Sequence, residues 1–130
     1  LSWRTEPGLP ALSTDRMKLK VVLKNLISNA LKFTREGSVT VTVRAEGDGV
    51  EFSVVDTGPG IPTEAHFVIF EPYRQAGDAS GRRHEGIGLG LYIVRRLLDM
   101  LGGWVDLESE VGRGSTFRVW VPLAPAAAPR

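Results

Sequence analysis

The residues best placed for chemistry lie in one stretch, Lys20 to Thr34, KVVLKNLISNALKFT. Asn25, Asn29 and Lys32 fall at i, i+4 and i+7. At 3.6 residues per turn they sit within about 60° of arc, so two amides and an ammonium share one helix face. Asn is a poor helix-interior residue because its side chain competes for backbone hydrogen bonds, and two aligned Asn side chains therefore call for a compensating ligand. The plainer alternative is a solvated polar face. A second constellation is DTGPGI, Asp56 to Ile61, where a carboxylate closes a strand beside Gly58 and Gly60. Such a carboxylate can accept a hydrogen bond while bare backbone approaches a flat ligand. A Gly-Pro turn capped by an Asx side chain explains the same residues. An aspartic-protease strand also ends in Asp-Thr-Gly, but Pro59 follows Gly58 here and the rest of the chain is not all-β.

A third constellation is Gly86, Gly88 and Gly90, at the entrance of a second long helix. Glycines there let amide N–H groups point at an anion, and the helix dipole favours phosphate. A Rossmann loop is a poor match, because the spacing is GxGxG and a polar segment rather than a strand precedes it. Arg74, Arg82 and Arg83 lie in that polar segment. They can clamp phosphate oxygens or simply be solvated. His66 falls in a short amphipathic segment and reads as a partly buried residue; His84, beside Glu85, reads as part of the polar segment.

These residues need elements to hold them. Leu19, Val22, Leu23, Leu26, Ala30 and Phe33 recur at three- and four-residue steps, which predicts a helix from a cap at Ser13, Thr14 or Asp15 to about Thr34, ended at Gly37. Leu1 to Thr5 is a strand candidate, and Ala11 to Ser13 a second short one. SVTVTVRAE and GVEFSVVDT alternate around GDG, predicting an antiparallel hairpin. TEAHFVIF after Pro62 predicts a short helix capped by Thr63, with Phe67 and Phe70 turned inward. Glu71 to Glu85 has the length and polarity of a functional lid or a disordered loop. Gly86 to Leu101 predicts a second long helix stopped by Gly102-Gly103, and WVDLESE with TFRVWVPL a second hairpin. The class is α+β, one mixed sheet covered by helices on one face.

The 130 residues suit one domain, 1–123, followed by a Pro/Ala-rich tail, 124–130. With 16 basic and 15 acidic residues the net charge is +1, without the long-range field of a nucleic-acid binder, so an anionic partner has to be held locally. The chain has no cysteine, hence no disulfide and no thiolate metal site. It has no apolar run of about 18 residues and its first residues do not read as a signal peptide, which predicts a soluble domain.

The ordered motifs NLISNALKFT, DTGPGI, FEPYRQ, GIGLGL and GRGSTF resemble the N, G1, F and G2 boxes and the closing hairpin of the catalytic, ATP-binding domain of sensor histidine kinases, over Asp15 to Leu123. The resemblance implies a two-layer α/β sandwich (the Bergerat fold shared with Hsp90, gyrase B and MutL). Its mainly antiparallel sheet would lie under about three helices, with ATP beneath a lid. It implies that Asn29 binds Mg²⁺, that Asn25 helps hold phosphate and metal, and that Lys32 touches the phosphates. Phe33 would lie against the adenine and Asp56 would accept its amino hydrogen, in a pocket shaped by Gly58, Gly60 and Ile61. Gly86, Gly88, Leu89 and Gly90 would line the triphosphate, and Thr116 would sit near the adenine. Ile87 stands where Thr is commonest in the family. The hydrolytic relatives carry a Glu base at the Asn25 position, and an amide cannot take a proton from water. The expected reaction is therefore γ-phosphoryl transfer to a histidine, with Asn25, Lys32 and Arg83 as catalytic residues. No His-acid-hydrophobic-base stretch followed by Pro occurs in these residues. The implied partners are a dimerisation and phosphoacceptor domain and a response-regulator receiver domain, and the implied location is cytoplasmic, with no membrane contact by this domain even where the full-length protein is membrane-anchored. Two alternatives are a non-catalytic nucleotide-binding module and an anti-sigma-type serine kinase, which usually carries Glu at the Asn25 position.

Overall fold

The structure, a computed structural model, describes residues 1–9, 14–34, 36–66, 68–70 and 90–123. Helix α1, Arg16–Phe33, starts because Asp15 accepts from the amides of Met17 and Lys18, both at 3.1 Å, and Lys18 Nζ lies 2.6 Å from its other oxygen. Two otherwise orphaned first-turn donors are satisfied in this way. Of the three candidate caps, Asp15 takes the position. The helix ends at Thr34, and Gly37 turns the chain at φ 121°, close against Thr57. A side chain there would meet Thr57 Oγ1, so only glycine fits.

Strands β2, Val39–Glu46, and β3, Gly49–Asp56, form the expected antiparallel hairpin around a Gly47-Asp48 turn. Strands β4, Trp104–Glu110, and β5, Gly114–Pro122, form the second, and β5 pairs antiparallel with β3. Strand β1, Ser2–Thr5, adds in parallel to β2, giving a mixed sheet of order β1-β2-β3-β5-β4. One face carries Val39, Val41, Val43, Phe52, Val54, Phe117, Val119 and Val121, and it buries against Val22, Leu26 and Ala30 of α1 and Leu91, Val94 and Leu98 of the second helix, α2, Gly90–Leu101. This is the α+β sandwich expected from the alternation of the strands and the helical period.

The central strand β3 is covered on both faces. Glu51, on the side away from the helices, is only 3% exposed; it lies 2.6 Å from Arg44 Nε and 3.8 Å from Arg118 Nε. A buried charge survives only when paired.

Two expectations are modified. The segment after Pro62 forms two 3₁₀ turns, Thr63–Ala65 and Val68–Phe70, rather than a helix, and Pro62 holds the cap position without any side-chain cap bond from Thr63. Its i to i+3 bonds, Ala65 N–H to Pro62 O and His66 N–H to Thr63 O, suit a connector too short to nucleate an α-helix. Phe70 turns inward as expected; Phe67 lies outside the described residues. Helix α2 is described from Gly90, so the expected first turn, the lid and the short strand at Ala11 to Ser13 fall outside the described residues, as does the 124–130 tail. Among the described residues no helix is long and apolar enough to cross a membrane.

Candidate functional site

Helix α1 lays its polar stripe along the junction with α2. Asn25 and Asn29 are half-buried, while Lys32 is exposed in the last turn, where a cation also suits the C-terminal end of the helix dipole. The Asn25 amide group donates to the Val21 carbonyl at 3.0 Å, leaving Oδ1 to accept. That oxygen faces the start of α2: a Cβ placed on Gly90 would lie 3.4 Å from it. The absence of a side chain at Gly90 brings the first described turn of α2 close to the α1 amide. These are the ingredients for holding an anion and its counter-cation.

The other end of the stripe meets the end of β3. Asp56 is 9% exposed and faces the helix layer. Its Oδ1 accepts from Gly58 N–H at 2.9 Å, and the Ser115 amide also donates to the carboxylate. Burial pushes its pKa above the ordinary value, with the two amide bonds pulling back. A Cβ on Gly58 would stand 3.0 Å from both Asp56 Oδ1 and Thr34 Oγ1, and 3.4 Å from the carbonyl of Phe33. The bare backbone of Gly58 is thus ringed by oxygen. The Thr34 hydroxyl is shielded from solvent and has no hydrogen-bond partner among the described residues. Phe33 itself is 38% exposed at the rim.

The rest of DTGPGI braces this end rather than lining it. Gly60, at φ 79°, packs so tightly that a Cβ would fall 2.2 Å from the Glu110 carbonyl oxygen. Gly112 N–H donates to Pro59 O at 2.8 Å. Ser109 Oγ accepts from Ile61 N–H at 2.7 Å, donates to the Gly114 carbonyl at 3.0 Å and lies 2.7 Å from Ser115 Oγ. His66 Nε2 lies 2.9 Å from the Ile61 carbonyl, consistent with a partly buried structural histidine. Gly60 and Ile61 therefore fasten the loop to the β4–β5 turn.

Thr116 does not join the cluster. It stands opposite Val55 and Glu108, on the sheet face away from the helices, because side chains alternate along a strand. Ser115, one residue earlier, pairs directly with Asp56 on the helix-facing side. Counting back by twos from the buried Phe117 would have selected Ser115 from the sequence. Arg83, Gly86, Gly88 and Leu89 lie outside the described residues. A cavity of about 490 Å³ lies elsewhere, between α2, Phe70 and the edge strand β4, and includes none of the predicted site residues.

A helix face bearing amides, a buried carboxylate at the end of the adjoining strand and a bare glycine between them define the plan of an ATP-binding α/β sandwich. The chain belongs to the family described as histidine kinase-, DNA gyrase B-, and HSP90-like ATPase (HATPase_c), whose model matches residues 14–125. It is homologous to sensor histidine kinases. It is 44% identical over 126 residues to the sensor histidine kinase RcsC of Escherichia coli (strain K12), covering 96% of this chain and 13% of the relative. It is also 44% identical over 133 residues to the aerobic respiration control sensor protein ArcB of the same strain, covering 98% and 17%. The chain thus spans less than a fifth of either curated relative. Among solved structures, full-length ShkA in complex with AMPPNP aligns with a TM-score of 0.84 at 42% identity, over 99% of this chain and 26% of that one. The nucleotide-free catalytic domain of the histidine kinase ThkA aligns with a TM-score of 0.81 at 31% identity, over 95% and 78%.

Proposed function

We propose that this domain binds Mg-ATP and delivers the γ-phosphoryl group to a histidine on a separate dimerisation and phosphoacceptor domain, in a cytoplasmic two-component relay ending at a response-regulator receiver domain. The observation that carries the reading is the buried Asp56 carboxylate at the end of β3, beside the bare backbone of Gly58. A desolvated acceptor of this kind suits the amino group of adenine and repels the carbonyl that guanine carries in its place. The bound AMPPNP of the ShkA structure supports the same assignment.

The polar stripe of α1 takes the phosphates. In this reading Asn29 holds Mg²⁺ through its amide oxygen, a ligand suited to a metal that keeps several waters. The ion would supply charge neutralisation on the phosphate oxygens. Asn25, with its amide group committed to Val21, keeps only an acceptor towards that shell. Lys32, Arg83 and the backbone from Gly86, Gly88 and Leu89 to Gly90 stabilise the oxygens, while Phe33 covers the base. Ser115, rather than Thr116, supports the carboxylate. Because Asn25 cannot act as a base towards water, hydrolysis is disfavoured. The incoming neutral imidazole nitrogen already carries its lone pair: as the bond from γ-phosphorus to the β–γ bridging oxygen breaks, the phosphorus–nitrogen bond forms, and the ring proton leaves to solvent.

Calorimetric titration with a non-hydrolysable ATP analogue, with and without Mg²⁺ and against GTP, tests the binding half. Saturable, adenine-selective, Mg²⁺-tightened binding is expected; absence of binding to the folded domain would reject it. Asn29→Ala should abolish the tightening by Mg²⁺ and leave the unfolding free energy within about 0.5 kcal/mol of the parent, as for a half-exposed polar side chain. Mixing the domain with the phosphoacceptor domain of a relative and labelled ATP tests the transfer half.

A further inference from the structure

Thr34 closes α1 with its backbone: its N–H donates to the Ala30 carbonyl at 3.0 Å, while its φ of −94° and ψ of 93° already belong to the extended region. Its side chain is held between two glycines. The methyl group lies 3.6 Å from where a Cβ on Gly37 would be, and the hydroxyl 3.0 Å from the corresponding position on Gly58. The second of those positions is also 3.0 Å from Asp56 Oδ1, so the two oxygens lie close to the same bare backbone. Yet among the described residues the hydroxyl makes no bond to the carboxylate or to any other group, although it is shielded from water. Buried polar groups are nearly always partnered, and an exception needs an explanation.

We propose that the Thr34 hydroxyl is a specificity-determining group of the base pocket, satisfied when a purine occupies it and reading the edge next to the one Asp56 takes, directly or across a single water. The inference rests on the nucleotide reading above and adds a residue to it. A carboxylate can only accept, whereas a hydroxyl can also donate. Side by side they present an acceptor and a donor. Adenine offers the matching order, an amino donor beside a ring-nitrogen acceptor; guanine offers a carbonyl acceptor beside an N–H donor, the reverse. The hydroxyl thus contributes to affinity and to the preference for adenine. Until a base arrives, it is a local liability of the empty fold.

Thr34→Val tests this directly, because valine keeps the methyl contact near Gly37 and prefers the extended backbone already present. Calorimetry with the ATP analogue and with GTP, on the parent, Thr34→Val and Thr34→Ser, should show Thr34→Val weakening the ATP analogue by about five- to thirtyfold. Its preference over GTP should narrow, and Thr34→Ser should stay close to the parent. In a thermal melt without nucleotide, the midpoint of Thr34→Val should rise by roughly 2–6 °C, since an unpaired buried hydroxyl has been removed. Unchanged affinity in Thr34→Val would overturn the proposal, as would equal losses in the Val and Ser variants or a lower midpoint in Thr34→Val. The parent arm separates the two claims: failure of the parent to bind the ATP analogue refutes the nucleotide reading, whereas a binding parent with an indifferent Thr34→Val refutes only this one.

Discussion

The two ends of the site are built on different principles. At the base end, Asp56, Gly58 and Ser115 are positioned by strand pairing and by a turn tied down through Ser109, Pro59 and Gly112. Nearly every polar atom there is already committed to the fold. At the phosphate end, among the described residues, α1 offers a face of amides and α2 a bare first residue, with Asn25 bonded only within its own helix. The first end is shape bought with desolvation; the second is capacity for charge. Substitutions at the base end should therefore move stability and binding together or in opposition, whereas those at the phosphate end should move binding alone.

Gly60→Ala against Gly90→Ala sets the contrast at its largest. At Gly60 the left-handed backbone and the Glu110 carbonyl 2.2 Å from a Cβ combine, and unfolding in urea should show a loss of about 2–4 kcal/mol. At Gly90 a Cβ meets only ordinary contact at 3.4 Å, and alanine is the better helix former by about 1 kcal/mol. That variant should be as stable as the parent or more so, yet bind the ATP analogue less tightly. Equal stability losses at the two glycines would erase the distinction.

Asp56→Asn comes next. Replacing an acceptor oxygen by a donor facing the adenine amino group should weaken ATP binding by about 1.5–3 kcal/mol. The nucleotide-free domain should lose little stability, because a buried charge has gone. Burial holds the Asp56 carboxyl above its ordinary value of 3.8, so the folded chain binds this proton more tightly than the unfolded chain does. Its contribution to stability is therefore full below pH 3.8 and is lost as pH rises through the folded value. ATP affinity should run the other way, falling as acid neutralises the acceptor. Unfolding and titration from pH 4 to 7 should show both slopes in the parent and neither in Asp56→Asn.

The smallest effect separates neighbouring residues. Ser115→Ala removes a hydroxyl 2.7 Å from Ser109 on the Asp56 side and should weaken binding by about 0.5–1.5 kcal/mol, while Thr116→Val should leave affinity unchanged. The reverse order would return Thr116 to the pocket.

Much of this was legible in advance. The helical period of Leu19 to Phe33 predicted α1, and the alternation of SVTVTVRAE and GVEFSVVDT and of WVDLESE and TFRVWVPL predicted the two hairpins, because burial on one face imposes those periods directly. The amide stripe and the terminal Asp56 were legible for the same reason. What escaped reading depended on contacts between distant segments. Gly60 reads as a pocket residue until the β4–β5 turn arrives against it. Thr116 and Ser115 differ only in strand parity, which the serine and threonine themselves do not reveal. Thr34 looks like an ordinary helix terminus until Gly58 folds over its hydroxyl.

The row of charges on the far side of the sheet bears on all of this. Glu51 of β3 sits between Arg44 of β2 and Arg118 of β5, and Arg118 reaches on to Asp106 and Glu108 of β4. A slip of one residue between β3 and β5 would turn this row onto the apolar face and leave Glu51 stranded without its cations. The same slip would part Asp56 from Ser115. These solvent-side ion pairs act as an indexing pin: from the back of the sheet they keep the front aligned, and charge far from any ligand helps set where the base-reading carboxylate stands.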